Sequence, residues 1–497
     1  MTYSEFTASP WGKSHQAYRD SPLSLSPAPE YANSEVLIAG LYRTIGLKDT
    51  SEGAVPVRGR ELDRKIAQAR DRRDKPDGAA LDGDALHAML RIVLESPKLP
   101  NQSSKRFIQV SPLVGETAQF SGSARLAGNP WPAGQLVRRM VRLGSPNAEA
   151  AGLRWAELFA ALEVDAKDDV FARFLKDELS AWTGVNWGQF VPDADSAEFV
   201  LQEEFDGVAC PARQFATDLG AIIAAKTLMT RRQWISLLEA LVRIAAVAHV
   251  AWLCEVQARI WECLQTALKT GVVPADVRAQ IYPKQFSYLR FGTGVVSELK
   301  DRTSKYLQAR LGINAILWRL QEAGIETRIS SAADVAKMCE NISKNRSALD
   351  GVWEDIRDIA DREVRTLLCR KGIGANLMEF ARHVLYQRQA ADQRLRGYDQ
   401  GYVLRKRGPS RSSQWICSPG PVSVLAIVHC SLAGLTGPRS VHRFALHLGA
   451  YGISLNHRDI AQNELGQQLR MLGLVLDSPD AESGMLLVPP FVSSSAA

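Results

Sequence analysis

One stretch of this chain constrains its fold more than any other, the apolar run ISLLEALVRIAAVAHVAWLCEV at residues 235–256. It is the nearest thing in the sequence to a membrane span, but it contains Glu239, Arg243 and His249. A charge at the centre of a bilayer is costly. Glu239 and Arg243 are four residues apart, a spacing that suits an ion pair on one face of a helix. The run therefore predicts a buried helix of a soluble domain.

The composition agrees with a soluble protein. The 497 residues are enough for about three domains, and 46% hydrophobic with 23% charged residues is typical of globular chains. A net charge of +6 permits an acidic partner without requiring one. The seven cysteines are odd in number and contain no CxxC pair, and the N-terminus lacks the pattern of a secretory signal. We therefore expect a reduced, cytoplasmic protein.

Periodicity and composition divide the chain into five regions. Residues 1–34 are rich in Ser, Pro and Tyr, so we expect a disordered N-terminal tail. We expect four further regions: a mostly helical region with a Gly/Pro-rich connection at 35–149, a central helical domain at 150–330, long helices with a basic connector at 331–420, and a separate module at 421–497. Within the central domain, Thr230 is a predicted helix cap.

The last of these regions contains a helix followed by a hairpin. Apolar residues recur at helical spacing at Ala461, Leu465, Leu469 and Leu472. Gly473 follows, a residue that tolerates the left-handed conformation at a helix end. The apolar runs LVLDS and MLLVPPF flank the turn-forming stretch PDAESG, which predicts two strands at about 474–489.

Two more helical segments precede this unit. The segment PVSVLAIVHCSLAGL has Pro421 at a first helical position, and SVHRFALHLGAYG can be capped by Ser440 and ended by Gly452. The order of three helices and a two-stranded wing resembles the winged helix-turn-helix superfamily over about residues 421–491. The resemblance implies a third helix that enters the major groove and a wing that touches the DNA backbone. We therefore expect a mainly α chain, a multi-domain helical body with a C-terminal winged helix.

The third helix could contact either DNA or a protein partner. Asn463, Gln467 and Arg470 lie opposite its apolar stripe, and these residue types read base edges in DNA. However, the chain from residue 421 onward has four basic and five acidic residues, and Asp480 and Glu482 lie at the predicted wing tip. Duplex binding draws most of its free energy from neutralised phosphates. The charge therefore favours docking of a protein partner or structural packing, and DNA binding stays the alternative.

A basic segment precedes this module at residues 392–411, DQRLRGYDQGYVLRKRGPSR. Tyr398, Tyr402 and Trp415 interleave with its charges. Cations can contact a phosphate backbone, and flat rings can stack on bases. The residues that we assign to nucleic-acid binding here are Arg394, Arg396, Arg405, Lys406, Arg407 and Arg411, together with Tyr402. The alternative is a solvated, charged connector between helical regions.

Motifs of common active sites are missing. The sequence contains no GxxxxGK[ST] loop, no HExxH and no GxSxG elbow. The acidic cluster at residues 354–361 has Arg357 within it and Arg362 directly after it, which favours an ion-paired surface over a cation site. We predict no catalytic residues, no cofactor and no metal.

These observations favour a non-catalytic, nucleic-acid-associated subunit of a multiprotein bacterial assembly, for example in DNA defence or maintenance. Its partners would be other protein subunits and nucleic acid, with no membrane, and the oligomeric state does not follow from the sequence. One alternative is a structural or regulatory interaction protein without nucleic-acid contact. Another is an enzyme whose site is assembled from dispersed residues. A basic surface linking 394–411 with the helix at 458–472 would favour the first hypothesis, and a pocket of converging polar groups would favour the enzyme.

Overall fold

The structure, a computed structural model, describes residues 2–25, 34–48, 50, 55, 64–65, 67–68, 75–94, 96, 110–121, 125–126, 129–130, 133–192, 197–388, 399–408, 410, 412–477 and 485–491. The chain is 63% helical and 5% strand, which confirms the expected mainly α fold class.

The helices of the described residues fall into three groups along the chain. The N-terminal group is α1 (Tyr3–Ala8), α2 (Gln16–Arg19), α3 (Ser34–Ile45), α4 (Gly83–Ala88), α5 (Ala133–Gly144), α6 (Ala148–Leu162), α7 (Val170–Thr183) and α8 (Pro211–Ala224). The middle group is α9 (Arg231–Thr270), α10 (Val277–Ile281), α11 (Val296–Glu322), α12 (Ala332–Lys344), α13 (Val352–Arg362), α14 (Val364–Leu367) and α15 (Gly372–Leu385). The C-terminal group is α16 (Pro421–Leu432), α17 (His442–Ala450) and α18 (Glu464–Met471).

The strands of the described residues are short and form four small sheets. They are β1 (Arg125–Leu126), β2 (Asn129–Pro130), β3 (Leu289–Arg290), β4 (Leu404–Lys406), β5 (Trp415–Cys417), β6 (Arg439–Ser440), β7 (Ile453–Ser454), β8 (Val475–Asp477) and β9 (Met485–Leu487). The pairs β1–β2 and β4–β5 are antiparallel, β3–β7 is parallel, and the last three strands form an antiparallel sheet in the order β6-β9-β8. The parallel pair joins the middle of the chain to its C-terminal part.

The long apolar run forms the centre of helix α9, which has 40 residues. Thr230 caps it in a capping box with Gln233, as the sequence predicts, and Gly271 ends it with a positive φ of 73°. By length and composition α9 could cross a membrane, but 94% of its apolar window is buried inside the protein. Helix α11 packs along it, and a Cβ at Gly312 would overlap the indole of Trp261. The two helices can therefore approach closely at this glycine.

One connected cluster of buried apolar side chains runs from Tyr3 to Leu487, and a second, smaller cluster surrounds α4 and α7. The larger cluster has members on both sides of the predicted boundaries at 150, 331 and 421. The boundaries themselves stay predictions.

The described N-terminal residues are ordered, contrary to the predicted tail. Over residues 2–25 the predicted disordered tail is wrong, because α1 and α2 form there and Tyr3, Phe6 and Tyr18 are buried in the main cluster. Tyr3 Oη donates a hydrogen bond of 2.9 Å to Asp355 Oδ2, and Gln257 Nε2 donates one of 2.7 Å to the carbonyl of Leu23. These side chains bury enough apolar surface against the helical body to offset the entropy of ordering the segment. Residues 26–33 of the predicted tail lie outside the described residues.

Candidate nucleic-acid interface

The C-terminal helices and strands form one compact unit. Helix α16 begins at Pro421, and Gly452 and Gly473 have positive φ values of 71° and 66° where α17 and α18 end, as their sequence positions predict. Ser440 Oγ accepts a hydrogen bond of 3.3 Å from the amide of His442, the first residue of α17. The two strands expected at about 474–489 are β8 and β9, and β6 completes the sheet on the other side of β9. Asp480 and Glu482 lie outside the described residues.

Helix α18 starts later than its apolar spacing predicts. A 3₁₀ turn covers His457–Gln462, and the α-helix begins at Glu464. The reason is that Asn463 is extended and caps the helix, since its Oδ1 accepts hydrogen bonds from the amides of Leu465 (2.9 Å) and Gly466 (3.2 Å). The side chain oxygen of Asn463 is therefore already used within the protein.

The other two candidate residues of α18 face solvent. Gln467 and Arg470 are exposed, while Leu465 and Leu469 are buried, so the helix presents the face that the apolar stripe predicts. Arg470 Nη1 donates a hydrogen bond of 3.2 Å to the carbonyl of Ala461. Met471, at the end of the same helix, is 81% exposed. This face thus combines polar groups with one large apolar side chain.

The described part of the basic segment forms the antiparallel hairpin β4–β5. Leu404 pairs with Cys417 and Lys406 with Trp415. Arg405 and Lys406 are half-buried, and Arg407 is exposed. Of the other candidate residues, Arg394, Arg396 and Arg411 lie outside the described residues.

One contact joins the hairpin to helix α18. The guanidinium of Arg405 forms an ion pair with Glu464, the first residue of α18, and its Nε donates a hydrogen bond of 3.0 Å to Ser418 Oγ. Two groups of candidate residues that are about sixty positions apart in sequence therefore lie side by side. Because the pair is partly exposed, its own contribution to stability is small. The pair matters because it places the hairpin beside helix α18.

The aromatic rings near the hairpin pack within the protein. Trp415 stacks on Tyr386 with ring centroids 3.6 Å apart and planes at 11°. The ammonium of Lys406 lies 5.8 Å from the centroid of the same indole. The ring of Tyr402 lies against Gly420, where a Cβ would be 2.6 Å from Cε1 of the tyrosine. Burial raises the pKa of Tyr402.

A buried ionic cluster holds the two ends of the segment 389–398, which itself lies outside the described residues. Asp399 Oδ2 accepts a hydrogen bond of 3.1 Å from the amide of Arg388, and Arg388 also pairs with Glu35 and Glu239. Arg243 donates to both oxygens of Asp399. Burial favours the protonated form of Asp399, but the charges of Arg243 and Arg388 hold the pKa of that carboxyl at about 2.

The sequence predicts only part of this cluster. Glu239 and Arg243 are within 3.7 Å of each other, as their spacing predicts. Burial and the charge of Glu35 raise the pKa of Glu239. An arginine in an apolar run signals that a buried carboxylate must lie nearby, but nothing in the sequence indicates that this carboxylate is Asp399.

A second polar cluster attaches the C-terminal unit to the body. Asp218 on α8 is buried, and its Oδ2 lies 2.7 Å from His447 Nε2 and 2.7 Å from Tyr451 Oη. His447 belongs to α17, and Tyr451 follows it directly. The unit is therefore fixed to α8 on one side and to β3 through β7 on another.

The features that would favour an enzyme are weak over the described residues. A cleft of about 490 Å³ lies between α9 and α11, but most of its charged side chains pair with each other, as in Arg259–Glu255 (2.7 Å) and Lys305–Asp301 (2.9 Å). No group of three or more His, Cys, Asp or Glu residues in the described part of the chain could hold a metal ion. Burial raises the pKa of Cys254 and Cys417 to about 12, which suppresses thiolate chemistry.

Comparisons of this chain with protein-family models, with curated proteins and with solved structures found no match. Its function must therefore be inferred from its own side chains.

Proposed function

We propose that this protein is a non-catalytic, nucleic-acid-associated subunit of a multiprotein assembly. In this proposal, the hairpin β4–β5 contacts phosphates, and the C-terminal unit is a winged helix that docks a protein partner through α18. The observation that carries the proposal is the contact between Arg405 and Glu464. It brings the basic hairpin and the candidate recognition helix to one surface, which a nucleic-acid-associated subunit with a docking helix would require.

The order of the C-terminal elements supports the winged-helix assignment. Helix α16, strand β6, helices α17 and α18, and strands β8 and β9 follow each other along the chain, and the strands pair in the order β6-β9-β8. The short strand β7 between α17 and α18 departs from this plan, because it pairs with β3 of the body. In winged helices of this order, α18 is the helix that meets the ligand.

The hairpin supplies the positive charge of the proposed interface. Arg405, Lys406 and Arg407 are consecutive, and Arg407 is exposed. Each lysine or arginine that neutralises a phosphate releases condensed counterions, so a few such contacts give measurable, salt-dependent affinity. The C-terminal unit itself is close to neutral, so phosphate binding is assigned to the hairpin and not to α18.

The docking role of α18 rests on its exposed apolar neighbours. Met471 is 81% exposed at the end of α18, and Leu476 is 53% exposed on β8. Exposed large apolar side chains beside polar ones are the composition of protein-docking surfaces. Arg470 and Gln467 provide hydrogen-bonding groups on the same helix.

A charge-removal experiment tests the proposal. The full-length triple variant Arg405→Gln, Lys406→Gln, Arg407→Gln should bind a labelled DNA more weakly, and the slope of log K against log salt should fall by about 0.7 to 0.9 for each phosphate that is no longer neutralised. The matched control is Lys337→Gln, Arg357→Gln, Arg365→Gln, which removes the same charge from exposed positions on α12, α13 and α14. Equal losses of affinity in both triple variants, or no binding by the unmodified protein at low salt, would refute the proposal.

A further inference from the structure

We infer that the nucleic acid held by this surface is a duplex and not a single strand. The inference rests on the function proposed above and goes beyond it by naming the form of the ligand. It follows from which groups of the hairpin are available at its surface and which are already packed.

Single strands bind by stacking their bases on open aromatic faces. At the hairpin, Trp415 does not offer such a face. Tyr386 covers the indole at a centroid distance of 3.6 Å, and the ammonium of Lys406 lies over the same ring at 5.8 Å. Tyr386 is itself only 8% exposed. A base could stack on Trp415 only by displacing one of these two neighbours.

The ring of Tyr402 is also packed against the protein. Its ring lies against the backbone of Gly420, close enough that a Cβ there would come within 2.6 Å of Cε1. Its carbonyl accepts a hydrogen bond of 2.8 Å from the amide of Gly420, so both the ring and the backbone of Tyr402 are fixed against this glycine. Tyr398 of the basic segment lies outside the described residues.

The hairpin is also fixed to the body of the protein. Gly292 donates a backbone hydrogen bond of 2.8 Å to the carbonyl of Cys417, and the amide of Cys417 donates one of 3.1 Å to the carbonyl of Thr293. A surface held in this way cannot close around a flexible strand. It presents cations at set positions, which suits a ligand whose phosphates are themselves at set positions.

The described part of the hairpin has cationic groups at its surface. Arg407 is exposed, and Arg405 and Lys406 are half-buried. Such cations contact phosphates, which a duplex presents at fixed positions without unstacking its bases. The geometry therefore assigns affinity to the backbone of a duplex.

The test compares two forms of one sequence. A fluorescein-labelled oligonucleotide and its blunt duplex are titrated with the full-length protein by anisotropy over a range of NaCl concentrations. We expect the duplex to bind at least about tenfold more tightly. We also expect Arg407→Gln to lower the duplex salt slope by about 0.9, the value for one phosphate contact on a duplex. The matched control Arg357→Gln should leave that slope unchanged.

The outcomes separate the inference from the function on which it rests. Equal or tighter binding of the single strand would overturn the duplex assignment and leave the nucleic-acid function standing. Duplex binding whose slope does not respond to Arg407→Gln would also overturn it, since the contact would lie elsewhere. Binding of neither form at low salt would overturn both.

Discussion

Arg243 and Asp399 are 156 residues apart in sequence and form a two-pronged ion pair inside the protein. Arg243 Nη1 lies 2.7 Å from Asp399 Oδ1, and Nη2 lies 3.1 Å from Oδ2. Arg243 is completely buried in α9, and it also donates to the carbonyls of Val384 and Tyr386. The pair thus joins the central helix α9 to the residues on both sides of the segment 389–398. The position of the basic segment therefore depends on packing in the protein core.

Replacing Asp399 with Asn should destabilise the protein strongly. The change leaves the guanidinium groups of Arg243 and Arg388 buried with less counter-charge, and breaking such a pair costs about 3–5 kcal/mol. Urea unfolding followed by circular dichroism would measure this loss. The control Asp358→Asn, at an exposed position of α13, should change the free energy of unfolding by less than about 0.5 kcal/mol. A loss below about 1 kcal/mol in Asp399→Asn would show that the pair is not structurally important.

His249 should make the protein sensitive to acid. It is fully buried, neither ring nitrogen has a hydrogen-bond partner among the described residues, and burial together with the charge of Arg139 lowers its pKa to about 3. An unfolded histidine has a pKa of about 6.5. Between these values the unfolded state binds the extra proton, so each pH unit of acidification removes up to about 1.4 kcal/mol of stability.

The variant His249→Phe tests this effect. It removes the titrating group and keeps a ring beside Trp252, on which His249 stacks with ring centroids 5.9 Å apart. Unfolding by urea at several pH values should show a flatter dependence below about pH 6.5 in the variant than in the unmodified protein. His442→Phe, at an exposed histidine of α17, is the matched control for the substitution itself. Identical pH profiles for His249→Phe and the unmodified protein would contradict the prediction.

Glu464 should limit the affinity of the proposed interface. Its carboxylate pairs with Arg405, so a phosphate must compete for the same guanidinium. We expect Glu464→Gln to raise DNA affinity by about twofold to fivefold, the range of a partly exposed ion pair. Asp459→Asn removes an equal charge from the neighbouring 3₁₀ turn and is the control. When Glu464→Gln is added to Arg405→Gln, DNA affinity should not rise above that of Arg405→Gln alone. A rise in this background would show that Arg405 is not the group released.

Helix α18 and the hairpin should be separable by mutation. The double variant Gln467→Ala, Arg470→Ala should release the protein partner recovered with the tagged protein from its native host, because both side chains lie on the exposed face of α18. DNA affinity should stay within about twofold, since the hairpin phosphate contacts are unchanged. A pull-down and a DNA titration on the same sample decide the question. Loss of DNA affinity with the partner retained would instead show that α18 reads DNA.

Much of the secondary structure was predictable because its signals are local. Thr230 and Gln233 cap α9, Pro421 begins α16, and Gly452 and Gly473 end α17 and α18 where the sequence places them. Each of these signals depends on hydrogen bonds or φ angles within about one helical turn. The exposed face of α18 was predictable for the same reason, since its apolar spacing decides which side is buried.

The tertiary structure alone decided how the polar and aromatic residues are used. Trp415 and Tyr402 could have served as stacking platforms, but Tyr386 and Gly420 cover them. The order of residues 2–25 likewise depends on contacts with later helices, such as the hydrogen bond from Tyr3 to Asp355. In each case the deciding neighbour is distant in sequence or set by the packing of whole helices, and no local pattern identifies it. Local signals specify the helical segments and their ends. The pairing of Arg243 with Asp399 follows instead from how helices far apart in the chain pack together.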